Sequence, residues 1–442
     1  MSINRKLGQL EETMEILNQQ AKTWNVVTIS RIRGNIQETV LRQSLDILQY
    51  RHPALNSHII NSRKSYYYQS KGTGKIPFQV VNIIESQEWE AVVNAEMNQV
   101  IDSSKYLLRV LLVKISNQQN INYLITTTHH AITDGLSSIQ LHSEILTYCQ
   151  KITEGTSIEY VTTLETLPPV EKLLPAWTNS FKGKLGRISL LLNIAFQKYW
   201  NQPKALKVEK YIPISQRRSE IIHRQLNQAS TQDFIQQCRQ ENTTVQSALC
   251  AALMLTVCKT VIQSHENNIK VSCLSYLDLR RRLEARISEE NMTVLATSLM
   301  EFYRITNNMT FWELARKIKH NLNKKINKGE IFQMIFLAKH LINFSLLFPN
   351  QVSPTVSVSN VGKVNIPHTY GELELEEISF AGSHALYAGM FIVNAATFQE
   401  KMTLNFVFSQ PSINRQTMEK LVDNCLDCII KNSSHYLIPG GT

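Results

Sequence analysis

The chain has 442 residues, 43% of them hydrophobic and 19% charged. That balance excludes a disordered or fibrous protein, and the length asks for two cores rather than one. The formal net charge is +10, yet the basic residues are dispersed and no nucleic-acid motif accompanies them, so nucleic acid is not expected as a partner.

The longest basic run is Arg280-Arg281-Arg282. A moderate positive balance suits an anionic small molecule such as a nucleotide-bearing cofactor, or plain solubility. The seven cysteines are odd in number and share no repeated spacing, which points to free thiols in a reducing compartment. Cys425 and Cys428 form a C-x-x-C on a helical pattern, but no second cysteine pair or nearby histidine completes a zinc site, so no metal is expected. The N-terminus has acidic residues and no apolar core, unlike a signal peptide. The longest nearly uncharged apolar stretches, Ser247 to Val257 and Ile188 to Phe196, are too short to span a bilayer. No transmembrane segment and a cytoplasmic location are expected.

In chain order, Gln9 to Leu17 has the period of a short amphipathic helix. Asn25 to Arg33 alternates like a strand, and Gly34 ends it. Ile36 to Gln49 places Val40, Leu41, Leu45 and Leu48 on one helical face. Arg51-His52-Pro53 closes that helix, because the residue before proline resists helix. Leu55 to Ile60 and Phe78 to Ile83 are predicted strands, and Ser86 to Gln99 is a predicted helix. Leu107 to Ile115 and Ile121 to Thr128 make a predicted hairpin turning at Asn117-Gln118-Gln119-Asn120. Leu136 to Thr147 is helical. Lys151 to Pro213 reads as a crossover, irregular as far as Pro175. Within it, Phe181 to Trp200 is a basic, apolar helix. It is expected to be a packed linker rather than a membrane-surface helix, because its apolar residues outnumber a single interfacial stripe. The second half resumes with predicted helices at Ser230 to Glu241, Val245 to Val261, Thr310 to Lys328 and Ile413 to Ile430. Its predicted strands are Ile269 to Leu277, Thr355 to Val361, Leu373 to Phe380, Gly389 to Thr397 and Lys401 to Phe408. The chain thus divides into residues 1–150, a crossover at 151–213 and residues 214–442, each half a mixed α/β (α+β) unit.

The stretch His129-His130-Ala131-Ile132-Thr133-Asp134-Gly135 lies where a strand gives way to a helix, a place where a rigid scaffold presents chemistry. Adjacent strand residues point to opposite faces, so one histidine at most faces a given cavity. Three readings compete. His130 acts as a general base, since an imidazole accepts a proton near neutral pH; or His129, His130 and Asp134 bind a metal, although neighbouring strand residues ligate one ion poorly; or both histidines are structural. No G-x-S-x-G nucleophile elbow occurs, Gly72-Thr73-Gly74-Lys75 lacks P-loop spacing, and no dinucleotide fingerprint opens a βαβ unit.

The seven residues match H-H-x-x-x-D-G. In this the chain resembles the acyltransferase superfamily typified by chloramphenicol acetyltransferase, which includes alcohol O-acetyltransferases, mycocerosyl transferases and the condensation domains of peptide synthetases. Arg51-His52-Pro53-Ala54-Leu55 and Asp278-Leu279-Arg280 resemble two further elements of that superfamily, while the D-F-G-W-G signature of its plant branch is absent. Ser359-Asn360-Val361-Gly362 occupies a comparable C-terminal place. The resemblance implies two chloramphenicol-acetyltransferase-like subdomains with a tunnel between them, and His130 as catalytic base facing that tunnel. It implies that His129 is a structural neighbour and that Asp134 turns from the substrate to pair with an arginine, for which Arg280 is the candidate. The plain alternative for Asp134 is a cap on the following helix. Gly135 lets the chain pass close to the substrate, or is merely a turn residue. The implied activity is transfer from acetyl-CoA or another acyl-CoA co-substrate to the hydroxyl of a small natural product, without an acyl-enzyme. Two alternatives stay open: condensation from a carrier protein, and a catalytically silent docking module. Arg281 and Arg282 are candidates for the CoA phosphates, a solvated basic face being the plainer reading. The expected partners are acyl-CoA and a small-molecule alcohol, with a carrier protein as the alternative donor, and the chain is expected to be a monomer.

Overall fold

Among the described residues three sheets organise the fold, and two of them carry six strands each. The computed structural model describes residues 4–433 except 23, 64, 119, 157–160, 261–267, 349–353 and 385; Gln119 of the predicted hairpin turn and Val261 of the predicted helix lie outside the described residues.

The first half runs β1 (Asn4–Lys6), α1 (Gln9–Ala21), β2 (Asn25–Arg33), α2 (Glu38–Arg51), β3 (His58–Ser62), β4 (Ser65–Gln69), β5 (Phe78–Ile83), α3 (Trp89–Met97), β6 (Leu108–Ile115), β7 (Ile121–His129) and α4 (Gly135–Thr153). The long α5 (Phe181–Asn201) follows. The second half holds β8 (Arg218–Leu226), α6 (Gln228–Gln240), α7 (Val245–Thr260), β9 (Asn268–Asp278), β10 (Ala296–Thr306), α8 (Phe311–Asn327), α9 (Glu330–Leu347), β11 (Val356–Lys363), β12 (Thr369–Tyr370), β13 (Leu373–Gly382), β14 (Phe391–Phe398), β15 (Lys401–Gln410) and α10 (Arg415–Ser433).

The first six-stranded sheet has the order β12-β13-β2-β7-β6-β5, and the second β10-β9-β11-β14-β15-β8. Strands β12 and β13 therefore belong to the second half by sequence and to the first sheet by pairing. Strand β13 lies antiparallel on β2, from Glu374 opposite Arg33 to Gly382 opposite Val26. A cut at residue 213 separates the two sheets except for this return. An apolar cluster joins the sheets: Val27, Ile29 and Ile125 from the first meet Ile221, Ile392 and Val407 from the second. Burying each such side chain stabilises the fold by about 1.5–3 kcal/mol.

Local chemistry accounts for most boundaries. Thr310 and Glu313 form a reciprocal capping box at the start of α8, satisfying two backbone donors the helix cannot. Gly329, at φ +72°, divides α8 from α9 in a backbone conformation that favours glycine. The predicted strand from Leu55 begins three residues later, because the amides of Leu55 and Asn56 bond back to the His52 carbonyl in a turn. The sequence reading passed over β10 and α9. In β10 the inward positions include Thr297 and Glu301, which hide the alternation.

One apolar helix escapes the sequence pattern, and one expectation is corrected. Helix α9 is long and apolar enough to cross a membrane by length and composition, although Ile331 to Leu337 are packed in the core. It was missed because Glu330, Lys339 and His340 interrupt the run. Helix α5, expected to be packed, is largely open: Phe181, Leu192 and Trp200 are exposed, and only Gly183 and Leu190 are buried. Its apolar residues occupy two opposite faces, and only one of them meets the protein.

Candidate active site

Strand β7 is buried along its whole length between β2 and β6 and ends at His129. Beyond it the chain turns for five residues and enters α4 at Gly135. The two histidines diverge. The His129 ring is fully buried: its Nδ1 accepts a hydrogen bond from the Ala131 amide (3.1 Å), and its Nε2 lies 2.9 Å from Glu15 Oε2 of α1 in a close contact that is not an aligned hydrogen bond. Burial works to raise the Glu15 carboxyl, but His129 and hydrogen bonds from Gln19 and Ser103 outweigh it and hold that carboxyl below the usual range.

The His130 ring is only partly enclosed. Its Nδ1–H donates to the Thr133 carbonyl at 2.8 Å. That bond fixes the tautomer and leaves Nε2 with a lone pair and no protein partner among the described residues. Desolvation lowers the His130 pKa; the Thr133 carbonyl and the Asp134 charge oppose this without overcoming it. The ring is thus neutral and able to accept a proton at neutral pH.

Asp134 performs both roles considered for it. As N-cap of α4, its Oδ1 accepts from the Ser137 amide at 3.1 Å. Its Oδ2 accepts from Arg280 Nη1 at 2.6 Å and from the Leu295 amide at 2.9 Å. Burial would raise this carboxyl, but Arg280 and the two backbone amides hold it below the usual range. Arg280, just beyond β9, also reaches Asp278 at 3.3 Å, and both members of the Asp134–Arg280 pair are buried. One carboxylate therefore ties the loop of the first sheet to the edge of the second.

Gly135 departs from expectation. Its φ is not left-handed, so it is no special turn residue. A Cβ there would stand 2.9 Å from both Phe380 of β13 and Val361 of β11, so glycine is required for close packing at the seam. Val361 sits where the β11–β14 pairing shifts register between Asn360 and Lys363. This gives the Ser359–Gly362 stretch a definite place beside the loop.

Arg51 and His52 reinforce the arrangement from α2. Both contact Glu144 of α4, at 2.9 and 3.0 Å, and Arg51 also reaches Glu290 of the second half at 2.6 Å. Arg281 and Arg282 are exposed. His142 of α4 is held between Ser30 and Thr126, its pKa lowered to about 3 by burial, and is a neutral core residue. Sequence reasoning missed Glu15, Thr133 and Leu295. The last two act through backbone atoms, and nothing in the spacing of α1 points to a partner more than a hundred residues away.

The five singled-out residues, His129, His130, Asp134, Gly135 and Arg280, thus converge at one place. Comparison with known proteins gives this place a context. Residues 215–409 match the family described as phthiocerol/phthiodiolone dimycocerosyl transferase C-terminus. No curated protein matches the sequence. Polyketide synthase associated protein 5 from Mycobacterium tuberculosis superposes with a TM-score of 0.72 at 18% identity, over 98% of this chain and 99% of that one. The trichothecene 15-O-acetyltransferase of Fusarium sporotrichioides gives 0.76 at 11% identity, over 97% and 95%. The first condensation domain of the calcium-dependent antibiotic synthetase gives 0.73 at 9% identity, over 98% and 97%. At these identities the structural likeness speaks for the fold. Over its whole length the chain thus shares the fold of these acyltransferases and condensation domains, and over residues 215–409 its sequence is similar to the mycocerosyl transferase C-terminal family.

Proposed function

We propose that the chain is an acyl-CoA-dependent acyltransferase that acylates the hydroxyl of a small natural product, with acetyl as the favoured group. The observation that carries this reading is the His130 ring: its tautomer is set by the Thr133 carbonyl and its Nε2 is left without a partner. In this reading donor and acceptor meet at Nε2 from opposite ends of a tunnel along the seam between the sheets. His130 Nε2 takes the proton from the acceptor hydroxyl as the oxygen attacks the thioester carbonyl. The tetrahedral oxyanion collapses, the carbon–sulfur bond breaks, and the imidazolium returns the proton to the departing thiolate. Holding both substrates together supplies much of the acceleration, so neither an acyl-enzyme nor a metal is needed.

The test is thiol release from a panel of acyl-CoA donors offered with alcohol acceptors. Acceptor-dependent release by the native chain, lost in His130→Ala, is expected. Equal release by both would overturn the role of His130. Turnover of an acyl group tethered to a carrier protein, with none from free acyl-CoA, would replace the donor by a carrier, as in the condensation domains that share the fold. Catalysis in the cytoplasm by a monomer completes the proposal.

A further inference from the structure

Helix α5 has 21 residues, a length of about 31 Å. Its inner side rests on α9: Gly186 lies against Gln333, and the Arg187 guanidinium stands 4.2 Å from the centre of the Phe336 ring. Leu190 is buried there. On the other side, Phe181, Leu185, Ile188, Leu192, Phe196 and Tyr199 project within about 80° of arc. All six are exposed, from 50% for Leu185 to 77% for Phe181. Isolated apolar residues are ordinary on a surface, but an unbroken row along a whole helix marks a contact. Trp200 extends the row at one end, and Phe344, Leu347 and Phe348 are exposed at the end of α9.

Charge selects the occupant. Lys182 and Lys184 are exposed and flank the row on opposite sides, and residues 181–201 contain no aspartate or glutamate. A second copy of this face would set lysine against lysine with no carboxylate between them. The row is also rich in phenylalanine, tyrosine and tryptophan, which suit a lipid interface better than a coiled-coil seam. We propose that the outer face of α5 seats on an anionic lipid surface, lying in the headgroup plane with its apolar row towards the acyl chains and its lysines among the phosphates. The inner contacts with α9 keep it from spanning. This inference stands apart from the catalytic reading and needs no substrate.

The test is flotation of the full chain with vesicles of phosphatidylcholine alone, or of phosphatidylcholine with phosphatidylserine. About tenfold more protein is expected to float with the anionic vesicles, and high salt is expected to release it. The double variant Leu192→Glu/Phe196→Glu should abolish flotation while keeping the native melting temperature. Lys182→Glu/Lys184→Glu should remove the preference for anionic lipid, which decides the matter if the first variant does not fold. Failure of the native chain to float with either vesicle, or equal flotation with both, would overturn the proposal. So would a dimer in solution that Leu192→Glu/Phe196→Glu converts to monomer, which would give the face to a second copy.

Discussion

Around His130, the other polar side chains from His129 to Asp134 have partners on other elements: His129 meets Glu15 of α1, Thr133 meets Ser137 of α4, and Asp134 meets Arg280 beyond β9. Helix α5 is the opposite case, with a long apolar row left exposed. The loop shows how a site is held from several sides so that one atom, Nε2 of His130, remains available. The helix shows that apolar residues in quantity do not make a core when they divide between two faces. Constraint from many elements is what separates a positioned group from an available surface.

Substitutions in the two regions should therefore differ in size. The largest effect is expected for His130→Ala, a loss of about 10²–10⁴-fold in kcat/KM with an unchanged melting temperature. Because burial depresses its pKa, the acid limb of the native pH–rate profile should fall below the ordinary 6.5; a limb at or above that value would break the assignment.

Next comes the pair that ties the sheets. Asp134→Ala or Arg280→Ala is expected to cost about 3–5 kcal/mol in chemical denaturation, because each strands a buried charge. The double variant should cost less than the sum of the singles. The Asp134 carboxyl is held low in the fold, so the stability it contributes is present above its unfolded value and lost as pH falls through its folded value. Asp134→Asn should flatten that acid limb.

Smaller still, Gly135→Ala should cost about 1–3 kcal/mol by pressing on Phe380 and Val361. At the bottom of the scale, Leu192→Glu on α5 should change unfolding free energy by less than about 0.5 kcal/mol. A large loss there would show that the row is structural after all.

Much of this was legible in the sequence. Strand β2, the β6–β7 hairpin and the loop after it carry period, turn residues and motif in agreement, and the Asp134–Arg280 contact was anticipated only from a resemblance. Other features had no local signal. Strand β10 hides Glu301 at an inward position, where burial raises its pKa to about 7. Helix α9 is apolar on most sides and so shows no stripe to read. The exposure of α5 depends on which neighbours reach it, a property of the assembled fold. Gly135 looked like a turn residue, because the crowding that explains it comes from β11 and β13, more than two hundred residues away.

The return of β13 to β2 also bears on the order in which the chain matures. Until residues 373–382 leave the ribosome, β2 presents a bare edge, and bare edges invite wrong pairing. Synthesis can form the hairpin and its helices early, but the first sheet waits for one of its strands until most of the second half exists. The two lobes are thus completed together, and expressing residues 1–213 alone would leave that edge unpaired.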